Sequence, residues 1–190
     1  MIGVSGASGA PYTKRLLEVL TSEPLRAKVA LSLVVSSTAE QVYEHECEGS
    51  LRAFGLPFYE GRDYGAPFAS GSSAPDAMVI VPASMSSVAK VAHGISDNLL
   101  TRAADVAIKE RKRLIMVPRE MPYSEIHLTN LLTLSRLGVT VMPASPSFYG
   151  KPGTVTQLLD TVVGRILDQL GLPNQLARRW GGEIGLEKRS

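Results

Sequence analysis

Ile2-Gly3-Val4-Ser5-Gly6-Ala7-Ser8-Gly9-Ala10-Pro11 is the stretch whose reading decides the fold. A short apolar stub runs into small residues and then into a proline. Proline suits the first turn of a helix, where its missing N–H is not needed. The helical pattern Tyr12–Leu20 follows at once. A strand that turns through glycines into a helix is the first unit of a strand–helix alternation, and the rest of the chain repeats it. Apolar runs rich in β-branched residues recur at Val29–Val35, Ala77–Val81, Leu114–Val117 and Val139–Met142. Continuous apolar runs of this length fit strands buried on both faces of a parallel sheet. Helical patterns lie between and after them, at Ser86–Ala92, Leu99–Lys109, Ser124–Leu137 and Thr154–Leu170. In the last of these, Val155, Leu158, Leu159, Val162, Val163, Ile166, Leu167 and Leu170 form one core-facing stripe, and Arg165 falls off it.

The alternation predicts an α/β fold, a Rossmann-like (flavodoxin-like) doubly wound parallel sheet. A single domain over residues 1–172 with a C-terminal arm over 173–190, carrying Arg178, Arg179 and Trp180, is the expected organisation. Only Gly55–Pro75 breaks the pattern. Rich in Gly, Pro, Ser and aromatics and without a period, it reads as a functional loop, being too long for an idle connection.

Composition narrows the function classes. The 190 residues are 44% apolar, enough for one substantial core, and carry 20 Lys+Arg against 18 Asp+Glu. A net charge of +2 provides no basic field for nucleic acid or an anionic membrane. No apolar run reaches the roughly 18 residues of a membrane span, and no leader pattern is present, so a soluble, cytoplasmic protein is expected. The single cysteine, Cys47, excludes an internal disulfide framework and a multi-cysteine metal cage. His93 and His127 lack ligand spacing, so no metal site is expected. His45-Glu46-Cys47 is no Cys–His pair, since helix neighbours point about 100° apart. No G-x-S-x-G elbow supports a serine hydrolase.

In an open parallel sheet, ligands bind beyond the carboxyl ends of the strands. Three apolar runs stop there at a proline, as Val81-Pro82-Ala83-Ser84, Val117-Pro118-Arg119-Glu120 and Met142-Pro143-Ala144-Ser145. Together they suggest a shared pocket rim. The Gly6–Gly9 turn puts backbone N–H groups at a positive helix end, where an anion or nucleotide is a candidate ligand. Its spacing is neither that of the dinucleotide fingerprint nor that of a P-loop. Ser84-Met85-Ser86-Ser87 offers several hydroxyls where a cap needs only one. Ser70-Gly71-Ser72-Ser73 repeats that composition. The candidate cations are Arg102, Lys109, Arg119 and Arg165, with Tyr149 in the Ser147–Gly150 loop. Arg102 and Lys109, seven apart, share a helix face. Arg119-Glu120 sits at a strand exit, where a guanidinium grips phosphate and a neighbouring carboxylate moves protons. Each charge-assisted bond there contributes about 1.5–3 kcal/mol.

These motifs, in order, resemble the UbiX-like flavin prenyltransferases. The resemblance is carried by Ser5–Ala10, Ser70–Pro75, Thr101-Arg102-Ala103-Ala104-Asp105-Val106, Lys109-Glu110-Arg111, Val117–Glu120, Phe148-Tyr149 and Arg179-Trp180-Gly181. It runs collinearly from about Gly3 to Gly181. It implies a homo-oligomeric flavoprotein, a dodecamer built from trimers, that joins a dimethylallyl group from dimethylallyl phosphate to reduced FMN at N5 and C6. The product, prenylated FMN, serves UbiD-like decarboxylases, and no metal takes part. By the same resemblance Gly6, Ala7, Ser8, Ser36, Ser84, Met85, Ser86, Ser87, Arg102 and Arg119 hold FMN. Tyr64, Lys109, Arg119, Glu120, Tyr149, Arg165 and Trp180 surround the second substrate, some of them from neighbouring subunits. Ser8, Glu46, Lys109 and Glu120 are the implied catalytic groups. The chain departs from the family pattern at Tyr64, where many members carry Trp, and at Ser36-Ser37, where a Ser-Lys pair is common. Two other readings remain at this level, an FMN-dependent cysteine-type decarboxylase and a noncatalytic flavin carrier or subunit of a decarboxylase complex. The first lacks its Pro-Ala-Ser-Ala-Asn-Thr motif here, and the second leaves Lys109, Glu120 and Arg165 without a use.

Overall fold

The computed structural model describes residues 1–177. Its elements run β1 (Ile2–Val4), α1 (Ala10–Leu20), β2 (Leu33–Val35), α2 (Ser37–Glu46), β3 (Phe58–Glu60), β4 (Ala77–Ala83), α3 (Met85–Ala92), α4 (Leu99–Lys109), β5 (Arg113–Pro118), α5 (Glu125–Arg136), β6 (Thr140–Val141) and α6 (Val155–Leu170). The chain divides into two compact units after Ser145, and the first contains the whole sheet. The expected division at 172/173 is a different one, and Trp180 and most of the expected arm lie outside the described residues.

The six strands are all parallel and lie in the order β3-β2-β1-β4-β5-β6. This is the 3-2-1-4-5-6 order of the Rossmann fold, and not the 2-1-3-4-5 order of the flavodoxin sheet. Strand order reverses between β1 and β4, so the switch-point crevice opens above these two strands. Both central runs are buried throughout: Met78 to Val81 in β4 and Leu114 to Val117 in β5. That double-sided burial is the reason they carry no polar alternation. On one face α3, α4 and α5 contribute Val88, Leu99, Leu100, Ala103, Ala107 and Leu134 to a core shared with Met78, Ile80, Leu114 and Met116.

Several boundaries differ from the sequence reading. The run expected to form a strand over Val29–Val35 pairs only from Leu33, where its register with β1 begins, and Val29 to Ser32 are at least partly exposed. The expected irregular loop contains β3, an edge strand of three residues too short to show a period. There Tyr59 packs edge-to-face on Phe68 at 5.0 Å, and Arg52 stacks on the Phe58 ring at 3.9 Å. Helix α2 has no periodic stripe in the sequence, where only His45 and Glu46 are read as helix neighbours, because it buries only Ala39 and Tyr43. Pro82 does not end β4. The strand continues to Ala83 through a register shift, whereas Pro118 does end β5. In α6, Val162, Val163, Ile166 and Leu167 are buried as expected, but Val155 at the first helical position is 70% exposed. Arg165 is exposed, consistent with its place off the stripe. Among the described residues no helix is long and apolar enough to cross a membrane.

Candidate active site

Ser5 builds the floor of the switch-point crevice. Its hydroxyl donates to the Pro82 carbonyl at 2.9 Å and accepts from the Ser84 N–H at 2.7 Å, with the residue only 3% exposed. One side chain thereby ties the exit of β1 to the exit of β4. Thr13 on α1 adds a second tie, donating to the Val81 carbonyl at 2.5 Å. Ser84 caps α3 by accepting from the Ser87 N–H at 3.2 Å, and the two hydroxyls lie 3.1 Å apart. The first N–H groups of α3, at Met85 and Ser86, have no partner within the helix, so they aim a positive end at the crevice. The Met85 side chain itself belongs to the core. Ser36 caps α2 by the same device, accepting from the Ala39 N–H at 3.1 Å.

Removing the Ser5 hydroxyl strands the Ser84 N–H inside the protein. Ser5→Ala should cost about 1–3 kcal/mol of stability, the cost of an unmade buried hydrogen bond. The measurement is the urea midpoint; an unchanged midpoint would show that the two strand exits are held by something else.

The turn after β1 corrects one expectation. The Gly9 and Ala10 N–H groups at the start of α1 are not free for an external anion. Glu46, the last residue of α2, accepts both through Oε2, at 2.8 and 2.9 Å. Burial pushes the Glu46 carboxyl up, but bonds from the Ser8 hydroxyl and from the Gly9 and Ala10 N–H groups, with the Arg119 charge nearby, hold it below the usual carboxylate range. Arg119, leaving β5, donates from Nε to the Ser8 carbonyl at 2.8 Å. Ser8, Glu46 and Arg119 therefore form one array beside the crevice, and Glu120 follows it, exposed, with its Oε1 accepting the Met121 N–H at 3.1 Å. Gly6 is fixed by a close approach, since a Cβ there would sit 2.6 Å from Cγ2 of Thr38.

Other expected site residues lie apart from this array. Lys109 ends α4, just before β5 begins at Arg113, so it stands at the amino edge of the sheet. The six residues of β5 separate that edge from Arg119 by roughly 20 Å of strand. Lys109 pairs there with Glu110, and both lie beneath Gly71 of the serine loop. Arg102 donates from Nε to the Ala69 carbonyl at 3.1 Å and pairs with Asp105 at 3.1 Å, which fastens that loop to α4. Tyr64, 50% exposed, lies four residues past the carboxyl end of β3. Tyr149 and Arg165 belong to the second unit, where Arg165 pairs with Asp168 at 2.8 Å. Trp180 lies outside the described residues. Ser5, Thr13 and Thr38 are structural members that the sequence reading passed over. Places at the strand exits mark Ser5 and Thr38, and nothing local marks Thr13.

The sequence model of the flavoprotein family matches residues 1–167. The flavin prenyltransferase UbiX of Methanocaldococcus jannaschii is 45% identical over 184 residues, covering 95% of this chain and 97% of its own. The chain belongs to the UbiX family. Two solved UbiX structures share its fold closely. A dodecameric FMN-dependent UbiX-like decarboxylase from Escherichia coli O157:H7 superposes with a TM-score of 0.90 at 42% identity, covering 95% of this chain and 98% of its own. AnUbiX, in complex with FMN and dimethylallyl pyrophosphate, superposes with a TM-score of 0.89 at 38% identity, covering 95% of this chain and 96% of its own.

Proposed function

We propose that this UbiX-family chain is a flavin prenyltransferase, joining the dimethylallyl group of dimethylallyl phosphate to reduced FMN and supplying prenylated FMN to a UbiD-like decarboxylase. The Ser8–Glu46 pair beside Arg119 carries the reading. With the Ser8 proton committed to an ionised Glu46, Ser8 Oγ offers lone pairs to the crevice, so it receives an N–H donor. Reduced flavin has one at N5.

The cradle fits a flavin mononucleotide. Gly6 lets the turn close on Thr38, and the α3 amides with Ser84, Ser86 and Ser87, together with Ser36 at the cap of α2, provide donors for a single phosphate. Ala7 and Ser8 line the turn, and Arg119 closes it. The flavin supplies two nucleophilic positions, N5 and C6. The chain does the rest. As the allylic C–O bond breaks, its electron pair passes to phosphate oxygen, which Lys109, Arg119 and Arg165 stabilise with the Tyr149 hydroxyl. Tyr64 and Trp180 offer aromatic faces to the allylic cation. Ser8 passes its proton to Glu46 and accepts the one that N5 gives up as the first bond forms; Glu120 then delivers a proton to the remaining double bond, opening its tertiary carbon to C6, and takes back the C6 proton as the second bond forms. Arg102 serves the site through the loop it fastens.

One chain holds Lys109 and Arg119 at opposite edges of its sheet, so the complete set draws on two chains. The dodecameric relative supports a homo-oligomer, and a dodecamer built from trimers is the assembly proposed. The test is anaerobic incubation with reduced FMN and dimethylallyl phosphate, followed by mass spectrometry of the released flavin. Flavin heavier by one prenyl unit is expected; unmodified FMN with both the phosphate and the pyrophosphate donor would overturn the reading.

A further inference from the structure

The second unit holds a cavity that the proposed chemistry leaves without a use. It measures about 430 Å³ and opens between α6, the loop that carries Tyr149 and residues 174–177. Two bonds lay that loop across one face of α6. The Ser147 N–H donates to the Thr161 hydroxyl at 3.0 Å, and the Gly153 N–H donates to Oε1 of Gln157 at 2.7 Å. Gln157, Thr161 and Arg165 follow at intervals of four along that face, so Arg165 lies one turn beyond the cavity. Asn174, in the facing wall, donates to the Asp168 carboxylate at 3.0 Å, and Arg165 pairs with the same carboxylate.

The wall suits a negative charge. Among the described residues that line it none is a carboxylate, and Lys151 is the one cation. Asp168 answers the charge of Arg165, but no described residue forms an ion pair with Lys151. Gln157 spends its carbonyl on Gly153, and its NH2 group, like that of Gln175, has no acceptor among the described residues. Lys151 also holds a left-handed backbone with φ of 52°. Glycine adopts that conformation freely and lysine does not, so the chain keeps an amine where the turn alone favours glycine.

We infer that this cavity seats a second phosphate group beside the one that Tyr149 and Arg165 hold, and that Lys151 and Gln157 let the chain take dimethylallyl pyrophosphate as donor. The inference rests on the proposed function for the first phosphate and extends it to the second. The allylic C–O bond breaks as before, and its electron pair leaves on an oxygen of pyrophosphate in place of phosphate. N5 of reduced FMN forms the new C–N bond, and its proton goes to Ser8.

The test compares the two donors on the full assembled chain. Lys151→Gly and Gln157→Glu should each lower the ratio of kcat/KM for the pyrophosphate donor to that for the phosphate donor by about 10- to 100-fold, and Lys151→Arg should keep it near wild type. Lys151→Gly should unfold at an equal or higher urea concentration, an outcome that a lysine kept for the fold would not give. An unchanged ratio in both variants, or a wild-type chain that uses only the phosphate donor, would overturn the seat. Calorimetry reads the seat without catalysis. Inorganic pyrophosphate should bind about 10- to 100-fold more tightly than inorganic phosphate, and Lys151→Gly should lose that margin. Inorganic phosphate that binds alongside dimethylallyl phosphate without competing would make this a separate anion site and overturn its link to the donor. Failure to prenylate flavin with either donor would overturn the reaction and leave calorimetry to decide the seat.

Discussion

Lys109→Ala and Glu120→Gln, each assembled alone, should be nearly inactive, and co-expression of the two chains should bring activity back. Removing a group that stabilises the leaving phosphate, or one that takes a proton, is expected to lower the rate about 10²–10⁴-fold. Recovery follows from the placement of the two residues. Lys109 lies at the start of β5 and Glu120 just past its end, so one chain does not bring both to one crevice. If each site takes Lys109 from one chain and Glu120 from another, random mixing at equal amounts leaves about a quarter of the sites with both native residues. Differently tagged chains purified through both tags would show flavin prenylation at about that fraction of the wild-type rate. No recovery in verified mixed particles would mean that Lys109 is not part of the site, or that it serves the crevice of its own chain.

Ser8→Ala should lower the rate of prenyl transfer by about 10²–10⁴-fold while leaving the fold intact, because Ser8 is exposed and its carbonyl, which Arg119 holds, remains. Glu46 behaves differently, having a structural and a chemical task at once. Glu46→Gln keeps an acceptor for the Gly9 and Ala10 N–H groups but loses the charge that the helix end favours. At pH 7 it should be less stable than wild type by about 0.5–2 kcal/mol, the range of caps and helix-end charges. The sign with pH follows from the depressed titration of Glu46. Its stabilisation is complete above the unfolded carboxylate range and is lost as pH falls through the lower, folded value. The gap between wild type and Glu46→Gln should therefore close on acidification. Urea midpoints at pH 7 and at pH 4 or below give the comparison. A gap independent of pH would show that the amides recognise the shape of the Glu46 side chain and not its charge.

Much of the fold was legible because burial leaves plain marks on sequence. The strands β4 and β5 are apolar on both faces, and α4 keeps the bounds read from its period, Leu99–Lys109. Short or thinly buried elements left no such mark. Three residues of β3 cannot display alternation, and α2 anchors itself by only two side chains. The candidate site was legible where chemistry clusters along the chain, at Gly6–Gly9, Ser84–Ser87 and Arg119-Glu120. It was illegible where function depends on one long-range bond: nothing local says that Glu46 reaches back to Gly9, or that Ser5 spans two strand exits. The displacement of Lys109 was available in principle. A helix that leads directly into a parallel strand must end at that strand's amino edge, so its last residue faces away from the crevice.

The carboxylate seated on α1 has a consequence for which nucleotides the crevice admits. Sheets of this strand order that take dinucleotides lay a pyrophosphate bridge across the amides of their first helix. Here the chain supplies its own anion to those amides, permanently attached. A bridging diphosphate would meet a resident negative charge and find the donors already engaged. On the proposed reading, a sheet with the strand order of a dinucleotide reader has one of two phosphate seats closed by its own side chain, and the nucleotide it takes carries a single phosphate.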